Sequence, residues 1–180
     1  AKIIKQITTI PDNKKIFYQK HMTHHIIKNT KLTWINKGHN CFLIRHPAKV
    51  INSYIKKNKL SNITDIGFDQ MFRLFNHIKK YISKKIIIVN ADTLLEDPEL
   101  YIKKICKNLN IDFSIKMMKW SKGDTKDFGI WHEHWYRDII NSSGFTKTKN
   151  IIKEVPDEYE KIYMESLEIY NEMNKYSIKL

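Results

Sequence analysis

Arg45, Lys49, Ser53 and Lys57 are the residues whose types and spacing most readily do chemistry. Arg45 closes the apolar run Asn40-Cys41-Phe42-Leu43-Ile44, and Pro47 follows two positions later. An arginine fork grips a phosphate through two parallel hydrogen bonds. Steps of four put Lys49, Ser53 and Lys57 on one helical stripe, so two cations and a hydroxyl donor can flank a bound anion. The same spacing fits a plainer arrangement, with Arg45 paired to a carboxylate and Ser53 in solvent. Spacing alone leaves both open.

The elements around this run must position it. Asn40–Arg45 is a continuous apolar stretch, the pattern of a strand buried on both faces. Pro47 suits the first turn of a helix, and Val50, Ile51, Tyr54 and Ile55 give that helix an apolar face. Phe68–Ile82 is amphipathic, Lys85–Val89 is a second β-branched strand, and Asp97-Pro98-Glu99 opens a helix running to about Leu109. Residues 121–130 read as a loop, His132–Ile140 as helical, and Pro156–Tyr176 as a final amphipathic helix. Ile16–Lys20 is a short β-prone run, with a turn or helix beginning at His21. Strands alternating with helices of this length predict an α/β fold, a parallel sheet with helices on both faces. In such sheets ligands sit beyond the carboxyl ends of the strands, which is where Arg45 falls.

Composition sets the outer limits. With 180 residues, one domain covering 1–180 is expected, and 42% hydrophobic residues suffice for a core, which excludes a disordered tail. Apolar runs such as Ile86–Val89 fall far short of the roughly 20 residues that span a bilayer. Residues 1–5 lack the apolar core of a signal peptide, and Cys41 and Cys106 both lie in apolar settings. A reduced, cytoplasmic protein is expected. The net charge of +13 favours anionic ligands. Its cations are nearly all lysine, scattered along the chain beside abundant Ile and Asn, which is the mark of a compositional bias rather than of a dedicated nucleic-acid surface. Arg45, Arg73 and Arg137 are the only arginines, and that scarcity makes each informative. His21, His24, His25, His132 and His134 lack the Cys-x-x-Cys or His-Glu-x-x-His spacing of a metal site, so no metal is expected.

The Arg45 segment resembles the phosphate-binding signature of sulfotransferases that use 3′-phosphoadenosine 5′-phosphosulfate. There an arginine ends a strand, proline follows two residues on, and serine and tyrosine lie eight and nine positions after it; Arg45, Pro47, Ser53 and Tyr54 match. Ile86–Pro98 resembles the family's strand, acidic turn and helix start, and Leu109–Phe113 the stretch after that helix. Tyr18–His25, and His134-Trp135-Tyr136 followed by Ser142–Phe145, are similar to its bacterial branch. Together these cover most of residues 16–145.

The resemblance implies a three-layer parallel sheet of the kind found in P-loop nucleoside triphosphate hydrolases. It also implies transfer of a sulfuryl group from that cosubstrate, without metal, to a hydroxyl or amine of a small-molecule acceptor. Arg45 and Ser53 would hold the 3′-phosphate. Lys20 would steady the leaving phosphate as charge builds. The family's base lies two residues after that lysine, at Met22 here, so His24 or His25 takes the role in expectation, with His21 also near. Lys122 and Gly123 resemble a late basic-glycine loop over the nucleotide. Trp131, with Trp135, Tyr136 and Phe145, would wall the pocket or pack the core.

The family's first strand and phosphosulfate loop normally precede the matched region, and residues 1–15 do not supply them. The chain reads as N-terminally truncated, or as a degenerate homologue. Two rivals remain: a small-molecule or nucleotide kinase of related fold, although no Gly-x-x-x-x-Gly-Lys-Ser/Thr occurs, and a non-catalytic basic nucleic-acid-binding module. Acceptor and oligomeric state leave no trace in the sequence.

Overall fold

A parallel pair of strands lies at the centre of the computed structural model, which describes residues 2–10, 13, 15–82, 86–123, 137–146 and 151–179. Strand β1 (Cys41–Ile44) pairs with β2 (Ile87–Asn90), Cys41 opposite Ile87 and Ile44 opposite Asn90. The helices in chain order are α1 (Lys2–Ile7), α2 (Pro47–Tyr54), α3 (Phe68–Tyr81), α4 (Ala91–Glu96), α5 (Pro98–Leu109), α6 (Arg137–Ile140) and α7 (Glu160–Asn174). The fold is thus α/β with a small parallel sheet.

The chain divides into two compact units. The first joins residues 1–90 to 151–177 and holds β1, β2, α1, α2, α3 and α7. One face of its sheet presents Phe42, Ile44 and Ile88. Against it pack Leu74, Phe75 and Ile78 of α3 and Tyr170 and Met173 of α7. Phe75, Ile88 and Met173 are fully buried, and each such side chain contributes about 2 kcal/mol of hydrophobic stabilisation. Helix α3 takes shape as its pattern predicts, with Phe68, Met71, Leu74, Phe75 and Ile78 on one stripe. Gly67, at φ 76, turns the chain into it. The second unit contains α4, α5 and α6. There Asp97 Oδ1 accepts the Leu100 N–H at 3.1 Å, Pro98 fills the first turn of α5, and Asn110 ends it in the left-handed region.

Three expectations need correction. Ile16–Lys20 is irregular and exposed, with Tyr18 at 82%, because β-prone residues make a strand only where a neighbouring strand offers partners. β1 is buried on one face only. Phe42 and Ile44 point into the core, whereas Cys41 is exposed and Leu43 is 67% exposed. β2 does fit the doubly buried pattern at all four positions. The final helix starts later than its periodicity implies, with a short turn at Asp157–Tyr159 before Glu160. The expected helix over 132–136 and most of the 121–130 loop lie outside the described residues.

Candidate functional site

The turn Arg45-His46 joins the carboxyl end of β1 to α2, so the sheet itself delivers the arginine to the surface. Arg45 is exposed, and among the described residues nothing hydrogen-bonds or ion-pairs with its guanidinium. Among the described residues, then, no carboxylate takes up the plainer pairing with Arg45. Ser53 is likewise exposed, and its hydroxyl has no partner among the described residues. Lys49 lies one turn nearer Arg45 and is half-buried. Helix α2 adds the positive end of its dipole on the Arg45 side. An exposed arginine fork, a hydroxyl donor and a helix N-terminus are together suited to a phosphate.

Several contacts hold this turn in place. The His46 ring lies 5.4 Å from that of Tyr170 and 6.3 Å from that of Tyr163. Asn90, which ends β2, donates to the Tyr170 hydroxyl and to Asn174 Oδ1, each at 2.9 Å. Tyr170 thus touches the residues at both strand ends. On α2, Asn52 Nδ2 donates to the carbonyls of Lys153 and Glu154 at 3.3 and 3.0 Å, fastening residues 153–154 beside the helix. Nearby, a groove of about 360 Å³ is lined by residues that include Ala48, Lys153, Glu154, Asp157, Glu160 and Tyr163. Three carboxylates against one lysine make the groove unfavourable for an anion.

Lys20, His24 and His25 lie in a different part of the same unit. Lys20 is exposed. Thr23–His25 forms a short 3-10 turn whose main neighbours are α3 and the turn Ile63–Ile66. The two imidazoles meet edge to face at 4.2 Å. Partial burial, and then the adjacent His25, lower the His24 pKa below its ordinary value. His24 is thereby kept neutral near pH 7, as a proton acceptor requires. His21 lies 5.0 Å from the Trp34 ring, and its Nε2 donates to Gln19 Oε1 at 3.2 Å.

Lys122 and Gly123 belong to the second unit, both exposed. Gly123 has φ 123 and donates its N–H to the Ile140 carbonyl at 3.0 Å. In the same unit Trp120 packs edge to face on Phe145 at 5.4 Å and donates to the Ser142 hydroxyl. Trp131, Trp135, Tyr136, His132 and His134 lie outside the described residues. Among the described residues no three His, Cys, Asp or Glu side chains converge as metal ligands, and no helix is long and apolar enough to cross a membrane.

Asn52, Tyr170 and Asn90 carry no spacing signal that separates them from ordinary polar residues. Gly67 did carry one, a glycine immediately before an amphipathic helix. Arg73 carried another, its rarity in a lysine-rich chain.

Two relatives from Arabidopsis thaliana, branched-chain-amino-acid aminotransferase-like proteins 1 and 2, are each 25% identical over 170 residues. That match takes in 94% of this chain and 30% of each relative, so the chain spans under a third of their length. A solved structure, the sulfotransferase domain from the curacin biosynthetic pathway, superposes with a TM-score of 0.44 at 16% identity, covering 76% of this chain and 53% of that one. The family model for the sulfotransferase domain matches residues 3–177. With nearly its whole length matched, the chain belongs to the sulfotransferase domain family.

Proposed function

We propose that this protein moves a sulfuryl group from 3′-phosphoadenosine 5′-phosphosulfate to a hydroxyl or amine of a small-molecule acceptor. The observation that carries the reading is the Arg45 guanidinium, exposed at the carboxyl end of β1 without a partner among the described residues, ahead of a helix that presents Ser53. Arg45 and Ser53 hold the 3′-phosphate. Lys20 stabilises the phosphate that leaves. The family resemblance also assigns nucleotide contacts to Lys122, Gly123 and Trp131. In this reading the sheet is the core of a three-layer, P-loop-like domain in one piece, working in the cytoplasm.

Chemically, the acceptor oxygen or nitrogen attacks sulfur in line, the bond from sulfur to the bridging phosphate oxygen breaks, and the acceptor proton passes to His24 or His25. His24 suits that task because its environment keeps the ring neutral. No covalent enzyme intermediate and no metal are involved.

The test is calorimetric titration of adenosine 3′,5′-bisphosphate into the intact protein, with adenosine 5′-monophosphate and Arg45→Ala as controls. Selective binding of the bisphosphate, lost in the variant, is expected. Equal or absent binding of both nucleotides overturns the reading.

A further inference from the structure

The irregular chain from Thr23 to Thr30 runs along α3 and is tied to it at two places. At the front, Thr23 Oγ1 donates to the Gly67 carbonyl at 3.0 Å. The approach is so close that a Cβ on Gly67 would stand 2.5 Å from Thr23 Oγ1 and 3.1 Å from the His24 nitrogen. At the back, Arg73 Nη1 donates to the Lys28 carbonyl and Nη2 to those of Ile26 and Ile27, all at 3.0 Å. Ile26 between them is sunk into the core at 7% exposure.

Three successive carbonyls on one guanidinium is an unusual use of an arginine. Among the described residues no carboxylate pairs with Arg73, and the hydrogen bonds it makes there go to main chain that has no ladder of its own. Only a planar, multi-donor fork reaches three carbonyls at once; a lysine presents one compact charge. Gly67, which caps the start of α3, and Arg73 within it are six residues apart, roughly 9 Å along the axis, and the segment bearing His24 and His25 is strung between them.

We propose that Arg73 is a positioning residue for the reaction: its grip on the carbonyls of Ile26–Lys28 sets the path of the segment that presents Lys20, His24 and His25. The identity of the positioned groups rests on the sulfotransferase reading above, whereas the clamp itself does not. Arg73 touches neither donor nor acceptor. It acts by holding a base where a displacement of about 1 Å can cost a hundredfold in rate.

The experiment compares the intact wild-type protein with Arg73→Lys and with Thr23→Val, which releases the front tether and leaves Arg73 in place. Three quantities are read: calorimetric affinity for adenosine 3′,5′-bisphosphate, release of sulfate from the phosphosulfate donor with water as acceptor, and the NMR titration midpoint of His24. In the water reaction, a water oxygen bonds to sulfur, the sulfur–oxygen bond to the phosphate breaks, and the water proton goes to the histidine. Both variants are expected to bind the bisphosphate within about twofold of wild type. Turnover falls roughly tenfold to a hundredfold, and the His24 midpoint moves up toward about 6.5. Unchanged turnover and an unmoved midpoint in both variants overturn the proposal. A wild-type protein that neither binds the bisphosphate nor releases sulfate overturns the sulfotransferase reading instead. The His24 midpoint then decides the clamp alone: a shift in the variants upholds it, and none refutes it.

Discussion

Asn90 donates to the Tyr170 hydroxyl at 2.9 Å, joining the last residue of β2 to the middle of α7 across 80 positions of sequence. The asparagine is 5% exposed and the tyrosine 9%. The bond is therefore largely shielded from competing water. Removing one partner of a buried bond costs about 1–3 kcal/mol. Tyr170→Phe should lower the melting temperature by roughly 2–12 °C in a chain of this size, with Asn90→Ala at the upper end because its bond to Asn174 goes too. Unchanged thermal unfolding in both variants would show that the bond contributes nothing.

Arg45→Lys keeps the charge and loses the fork. Affinity for adenosine 3′,5′-bisphosphate should fall about tenfold, further in Arg45→Ala, while Ser53→Ala removes one donor and costs about 1 kcal/mol, roughly fivefold. Titration at two salt concentrations should show weaker binding at the higher one, as expected of an exposed phosphate contact. Full affinity in Arg45→Lys would mean that charge alone, without fork geometry, holds the ligand.

Gly67→Ala places a side chain at φ 76 and against Thr23. Left-handed backbone costs a non-glycine residue about 1–2 kcal/mol, and the contact adds to it. Chemical denaturation of Gly67→Ala, Thr23→Ala and the double variant should reveal non-additivity. The glycine substitution is expected to cost less where Thr23 Oγ1 has already been removed. Strict additivity would place the whole penalty in the backbone.

His24 titrates below its ordinary value through burial first and the His25 charge second. The folded state then binds fewer protons than the unfolded chain between the lowered pKa and about 6.5. Stability from this group is complete above about pH 6.5 and is lost as pH falls through the folded value. His24→Gln should flatten that part of the pH–stability curve. If His24 is the base, turnover of the wild type rises with pH over the same interval. His25→Gln should move the His24 midpoint upward, since a cation is removed beside it.

The strand–turn–helix around Arg45 was legible because three local signals agree there: an apolar run, a proline two residues past its end, and a helical stripe. α3 and α5 were legible for similar reasons, a strict apolar stripe in one and an Asp-Pro start in the other. The exposure of Leu43 was not, since an apolar run looks the same whether one face or both are covered. What covers a face is decided by distant elements. The Arg73 clamp and the Asn52 tether to residues 153–154 are long-range side-chain to main-chain bonds, and no periodicity encodes such partners. The proposed base presents the opposite difficulty. Histidines crowd the segment after Lys20, and only burial separates His24 from its neighbours.

The first unit is assembled from both ends of the chain, residues 1–90 and 151–177. During synthesis the ribosome releases β1, β2 and α3 well before α7, and at about 5–20 residues per second that interval lasts several seconds or more. Throughout it Phe42, Ile44, Phe75 and Ile88 lack Tyr170 and Met173, which complete their cover. A nascent chain halted ahead of α7 is consequently a substrate for chaperones, and nonsense changes after residue 150 should be nearly as damaging as early ones. Residues 151–177 thus act as the lock on residues 1–90.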